Sequence, residues 1–332
     1  MRLTFGKSFR GVCLLATMIA LTLGSVANAQ AQTHSTTPYT YSDAHNKRLN
    51  EFVEHVANFV VRHEIGHMYI SEYNLTVFGE DESVADDYAA YVTAVFKPKD
   101  GDAVFSTYSV QSLIDVTKFW KAFSVLEASD ARVHGRDLAE RHGSAEQRAA
   151  RVGCFLYGLA PKKFGSVADY FNIRDRDACV RDAARRLKEN QRIFSEKELS
   201  CYPDHSLCPS VAIIAEPWAK GDRAAEHGAQ LGDHIGVTLE AADRLSSRQL
   251  PRGMKRYNPK GTKPNDPWPI ALLEPGDPEI KLVNYRVYTK ACAAADDYNA
   301  FWEPSTRSLV ICYHLIDLID QIGMKVVMDE DK

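Results

Sequence analysis

No C-x-x-C occurs among the seven cysteines, which argues against a zinc ribbon or a thioredoxin-like redox site. There is no surplus of positive charge either. Forty Lys and Arg stand against 44 Asp and Glu, a formal net charge of -4, so neither a nucleic acid nor an anionic membrane is an expected partner. No internal repeat is apparent. Beyond the first 29 residues, no apolar run approaches the length of a bilayer span.

The chain opens on a targeting pattern. Arg2, Lys7 and Arg10 precede the apolar run Val12 to Leu23, and Ala27-Asn28-Ala29 offers a small-x-small cleavage site. Residues 1–29 therefore read as a secretory signal peptide, and 30–45, rich in Thr, Ser and Gln, as a flexible leader. Cleavage leaves 37 Lys and Arg against 44 Asp and Glu, about -7. It also removes Cys13. Six cysteines in an exported chain point to disulfides, and neighbours in sequence group as Cys154 with Cys179, Cys201 with Cys208, and Cys292 with Cys312. The expected product is a periplasmic or secreted protein with no stable membrane insertion after cleavage.

From Ala44 onward, Leu49, Phe52, Val53, Val56, Phe59, Val60, His63 and His67 recur at three- and four-residue steps, one long apolar helical stripe carrying both histidines. A second helix follows in "EDESVADDYAAYVTAVF", with acids in its first turn, where the helix dipole favours them. Further helices are expected over 110–128, 145–157, 177–199 and 222–247. Seven of the 14 prolines lie between Pro251 and Pro278, a density that predicts a long extended loop with no regular element. Then "KLVNYRVYTKAC" and "TRSLVICYHLIDLI" read as two strands, the second running into a closing helix. The layout is a helical core over 46–200, a helix and proline-rich loop inserted at 201–280, and a strand-loop-strand-helix unit over 281–332 with a short acidic tail.

His63-Glu64-Ile65-Gly66-His67 is H-E-x-x-H. On a helix the two imidazoles project from one face about 6 Å apart and can grip one ion. Glu64 beside them is placed to take a proton from the attacking water and pass it to a leaving amine. A metzincin would continue H-x-x-G-x-x-H, but Ile70 and Tyr73 stand where its glycine and histidine belong. Instead Glu82 and Asp86 form E-x-x-x-D at the start of the next helix. Glu82 can complete a His₂Glu site for one Zn²⁺, and Asp86 can accept a hydrogen bond from a ligating imidazole. In "ERHGSAEQR", His142 is a candidate donor to the tetrahedral oxyanion, with Glu140 or Arg148 to orient it.

These segments together resemble a family: the exported bacterial metallopeptidase-like proteins grouped as domain-of-unknown-function family 4344. The likeness runs through HEIGH, "GEDESVADDYA", "ERHGSAEQR…CFLYG" and the cysteine of "DACVRDA". Its glutamate-zincin pattern implies His63, His67 and Glu82 as ligands, Glu64 as catalyst, His142 as a catalytic partner, and a Cys154–Cys179 pair. "CAAADDYNAFWEPSTRSLVICYHL" resembles a further stretch of the family that usually precedes the catalytic helix, with Cys292 and Cys312 on its two cysteines. Here it lies at the C-terminus, and His314 replaces a glutamate, so the segment order reads as circularly permuted. The implied fold is α+β and predominantly helical, a zincin-like core with a small antiparallel sheet. The implied function is zinc-dependent cleavage of peptides or proteins. A catalytically inactive metal-binding scaffold in the envelope and a cell-wall peptide amidase are the alternatives.

Overall fold

The computed structural model describes residues 42–77, 80–95, 106–129, 143–194, 199–201, 204–217, 224–261, 270–293 and 298–330. The signal segment, nearly all of the leader, Glu140 and His142 lie outside the described residues. Among those described, eight helices accompany one five-stranded sheet, so the fold is α+β and mainly helical.

The helix α1, Asp43–Glu72, is the axis of the molecule. Ser42 caps it by accepting from the His45 amide. From Phe52 to Tyr69 almost every side chain is buried, as expected of a helix surrounded by others rather than lying on a surface. Helices α2 (Asp81–Val95), α3 (Thr107–Ser129), α7 (Ala224–Ser246) and α8 (Tyr313–Glu330) all pack against it. Gly66 eases the approach of α2. A Cβ there would lie 3.0 Å from the Ala85 Cα, tighter than ordinary contact, so a larger residue would push α2 outward. At the other crossing, a Cβ on Gly323 of α8 would meet Leu49 and Phe52 at 2.8 Å. Helices α4 (Ala145–Leu159), α5 (Gly165–Tyr170) and α6 (Arg176–Ile193) complete the helical side.

The sheet contains β1 (Val211–Ala215), β2 (Ile270–Leu272), β3 (Tyr285–Lys290), β4 (Ala300–Glu303) and β5 (Ser308–Cys312), in the spatial order β2-β1-β3-β5-β4. Three pairings are parallel, and only β4 runs antiparallel to its neighbour β5. The expected small antiparallel sheet is therefore corrected to a mixed, mostly parallel one. The physical reason is the connection: β1, α7 and β2 form a β-α-β crossover, which joins parallel strands. The proline-rich segment likewise holds a regular element, β2, at the sheet edge where a short strand tolerates flanking prolines. Buried on both faces, β1 and β5 are continuous apolar runs, as central parallel strands require.

All three cysteine pairs are disulfides: Cys154–Cys179, Cys201–Cys208 and Cys292–Cys312. The described residues contain no helix long and apolar enough to cross a membrane. Leu315, Ile316, Leu318 and Ile319 of α8 join the same core as α1. The C-terminal unit is thus part of the main body and covers α1.

Candidate metal centre

The E-x-x-x-D turn reaches the histidines because α2 starts beside α1 and the Gly66–Ala85 contact holds the two helices close. His63 Nε2 lies 3.1 Å from His67 Nε2, and Glu82 Oε2 lies 3.1 Å and 3.2 Å from these nitrogens. Ligands about 2.0–2.1 Å from one tetrahedral ion stand roughly 3.3 Å apart, so this triangle fits a zinc ion. Among the described residues it is the one group of three or more His, Cys, Asp or Glu with such spacing. His63 is buried, whereas the His67 and Glu82 side chains are 19% and 20% exposed.

Behind the triangle lies a buried charge relay. Asp86 Oδ1 is 2.8 Å from His63 Nδ1. Arg148, from the first turn of α4, grips the same carboxylate through Nε at 3.0 Å and Nη2 at 2.6 Å. A capping box of Ser144 and Gln147 fixes that turn and so aims Arg148 inward. Arg148 Nη2 also lies 3.3 Å from His63 Nδ1. Two donors cannot bond, so Asp86 is the acceptor of Nδ1–H, and Nε2 is the nitrogen left for the triangle, able to offer its lone pair once it gives up its own proton. Burial alone would lower the His63 pKa, but the Asp86 carboxylate outweighs it and pushes the imidazole up to about 9, against the opposing Arg148. Burial favours the neutral form of Asp86, yet Arg148 and His63 hold it well below the usual carboxylate range. Arg148 also stacks 3.8 Å over the Trp120 ring, which shields the pair from water.

Glu64 divides its two oxygens. Oε2 accepts from the Trp302 main-chain N–H at 3.0 Å, and Oε1 lies 3.9 Å from His63 Nε2, toward the triangle. Trp302 belongs to β4, the terminal strand of the sheet. Asn299 accepts from the Cys312 amide, and main-chain groups alternate along an antiparallel pair. Those of Ala300 and Trp302 therefore face away from β5, onto the edge beside Glu64 that no described strand pairs with. Next to Glu64, a cavity of about 50 Å³ is walled by Val60, Phe119, Trp120, Phe123, Tyr298 and Leu315.

The geometry thus brings His63, Glu64, His67, Glu82 and Asp86 together. Arg148 pairs with Asp86, while its expected partner His142 lies outside the described residues. Trp120 and Trp302 are the members that sequence reasoning missed, and for Arg148 it missed the pairing with Asp86.

A family model described as "Putative metallopeptidase", domain-of-unknown-function family 4344, matches residues 21–192. The chain belongs to this family. The match covers the triangle, Glu64, Asp86 and Arg148 but ends before the sheet. No curated protein and no solved structure matches the chain. The family's description suggests a hydrolase of the metallopeptidase class, and three disulfides fit an exported setting.

Proposed function

We propose that this protein is a zinc peptidase of the exported compartment, with His63, His67 and Glu82 as ligands and Glu64 as general base. The observation that carries the reading is the three-atom triangle of 3.1–3.2 Å with Glu64 Oε1 directed at it. A bound zinc ion would supply Lewis acidity, lowering the pKa of water at its open position and polarising a peptide carbonyl.

The chain's own residues do the rest. Asp86 holds His63 in the tautomer that offers Nε2, and Arg148 keeps Asp86 ionised. Glu64 Oε1 takes a proton from the attacking water and delivers it to the departing amine, while its other oxygen stays fixed by the Trp302 amide. An extended peptide adds to the open edge of β4, pairing with the outward groups of Ala300 and the Trp302 carbonyl. The neighbouring cavity takes a side chain next to the scissile bond. Its volume admits roughly four heavy atoms, at about one water-sized sphere each, which suits Val, Leu or Ile.

The test is metal content of purified mature protein, paired with mass-spectrometric profiling of a peptide library. The expected outcome is about one zinc per chain and cleavage beside branched aliphatic residues. A zinc-loaded protein that cleaves no peptide would remove the enzymatic reading.

A further inference from the structure

Two described hydrogen bonds join the edge strand β4 to α1, and one residue makes both. The Trp302 main-chain N–H donates to Glu64 Oε2 at 3.0 Å, and its indole Nε1–H donates to Ser71 Oγ at 2.9 Å. Glu64 and Ser71 are seven residues apart, two turns of α1, so they share a face about 10 Å apart along the axis. Ser71 itself donates to the Met68 carbonyl at 3.3 Å, which turns its lone pair outward to the indole.

Hydrolysis as described above uses only the first contact. Ser71 is exposed, on the last turn of α1, and none of the ligand atoms touches it. The second contact has a geometric consequence. A strand tied to a helix at one point can pivot about it, whereas two ties two turns apart fix both its slide and its tilt. The groups that would pair with a peptide are on this same short strand, at Ala300 and Trp302. Their register against Glu64 Oε1 therefore depends on both ties. Pairing with β5 anchors β4 to the sheet. Arg307, in the turn after the strand, also donates to Glu72 Oε2 of α1 at 3.1 Å, but it holds the turn and not the strand's own groups.

We infer that Trp302 is a positioning residue: its indole, latched to Ser71, holds the substrate-pairing edge in register with the catalytic helix. The inference rests on the peptidase reading, and it assigns Ser71 a part in turnover that its exposed position hides. Near-attack geometry is steep in distance, so a small slide of the strand costs rate while leaving the metal untouched.

The experiment compares Ser71→Ala, Ser71→Thr, Trp302→Phe and the Ser71→Ala/Trp302→Phe double variant with wild type. Readouts are zinc content, melting temperature, kcat and KM on a cleaved peptide, and hydrogen exchange of the 298–303 segment. In Ser71→Ala we expect wild-type zinc and melting temperature. Its kcat should fall about fivefold, the worth of one net hydrogen bond, with KM within roughly twofold and faster exchange in 298–303. Ser71→Thr, which keeps the hydroxyl, should recover most of the rate. The double variant should be no slower than Trp302→Phe, because both changes cut one contact. Wild-type kcat in Ser71→Ala, or fully additive losses in the double variant, would overturn the latch. If wild type carries zinc yet cleaves nothing, the peptidase reading fails instead. The exchange comparison then decides the latch alone, and unchanged exchange in 298–303 overturns it.

Discussion

Asp86→Ala tests whether the relay behind the triangle holds the metal site together. The substitution removes the acceptor of His63 Nδ1–H and both hydrogen bonds from Arg148 in one step. The Arg148 side chain is only 10% exposed, so its charge is left buried without a partner carboxylate. Breaking a buried pair this way costs about 3–5 kcal/mol, with the Trp120 ring offsetting a small part. Denaturant unfolding of the metal-free protein reads that loss. Metal affinity falls separately, since an imidazole without its outer acceptor loses orientation, and the expected drop is about 10- to 100-fold in a chelator competition. Two companion variants separate the effects. Asp86→Asn retains an oxygen for Nδ1–H, so its zinc affinity should stay within about tenfold of wild type. The Asp86→Ala/Arg148→Ala double variant removes the stranded charge and should be more stable than Asp86→Ala alone. Wild-type zinc affinity in Asp86→Ala would refute the argument that this carboxylate orients the ligating imidazole.

Glu64→Gln keeps the shape and its contact with the Trp302 amide but cannot take a proton, so zinc should remain while hydrolysis nearly vanishes; undiminished cleavage would unseat Glu64 as base. A second buried ion pair joins α1, α3 and α8, with Asp115 held by Arg48 at 2.6 Å and 2.9 Å and by His55 at 2.7 Å. Burial favours its neutral form, but the bonds from His55 and Arg48 keep the Asp115 pKa below the ordinary 3.8. The unfolded state therefore binds the proton more readily, so this stability is full above about pH 4 and is lost as pH falls below it. Asp115→Asn should lower stability at neutral pH by about 3–5 kcal/mol and flatten the acid limb of the pH–stability curve; an unchanged acid limb would exclude the pair as its source. A fragment ending at Glu279 lacks β3, β4, β5 and α8, which bares the α1 face at Phe52, Val56 and Val60; it should neither melt cooperatively nor hold zinc, and a zinc-loaded cooperative fragment would make the C-terminal unit an appendage.

The metal triangle was legible because its ligands are local. His63 and His67 share one helical face, and Glu82 follows across a single turn, so spacing alone brings three donors together. The disulfides were legible for the same reason, since each closes a loop of at most 25 residues. Arg148 was not, because its partner lies 62 residues away and an arginine in a helical first turn has no signature of its own. The strands failed differently. "VAIIA" is a short apolar run that periodicity cannot tell from a buried helix segment, and β4 alternates over only four residues. One signal was present. Two apolar runs, Val211 to Ala215 and Ile270 to Leu272, flank a long helix, which is the pattern of a parallel crossover. The prolines between them masked it.

That failure has a consequence for how the site is divided along the chain. The family match, residues 21–192, contains every group that would hold the metal, yet the amide that fixes Glu64 comes from Trp302, 238 residues further on. On the proposed function, chemistry and substrate pairing come from opposite ends of the sequence, which meet where α8 and β4 pack on α1. Local spacing can specify the first half, because a metal needs three or four donors within a few ångströms. The second half depends on a strand direction, a register and an edge, and none of these exists until the sheet has formed. A reading of the sequence therefore reaches the metal before it reaches the substrate, and residues such as Trp302 and Ser71 become visible only when the two ends of the chain meet.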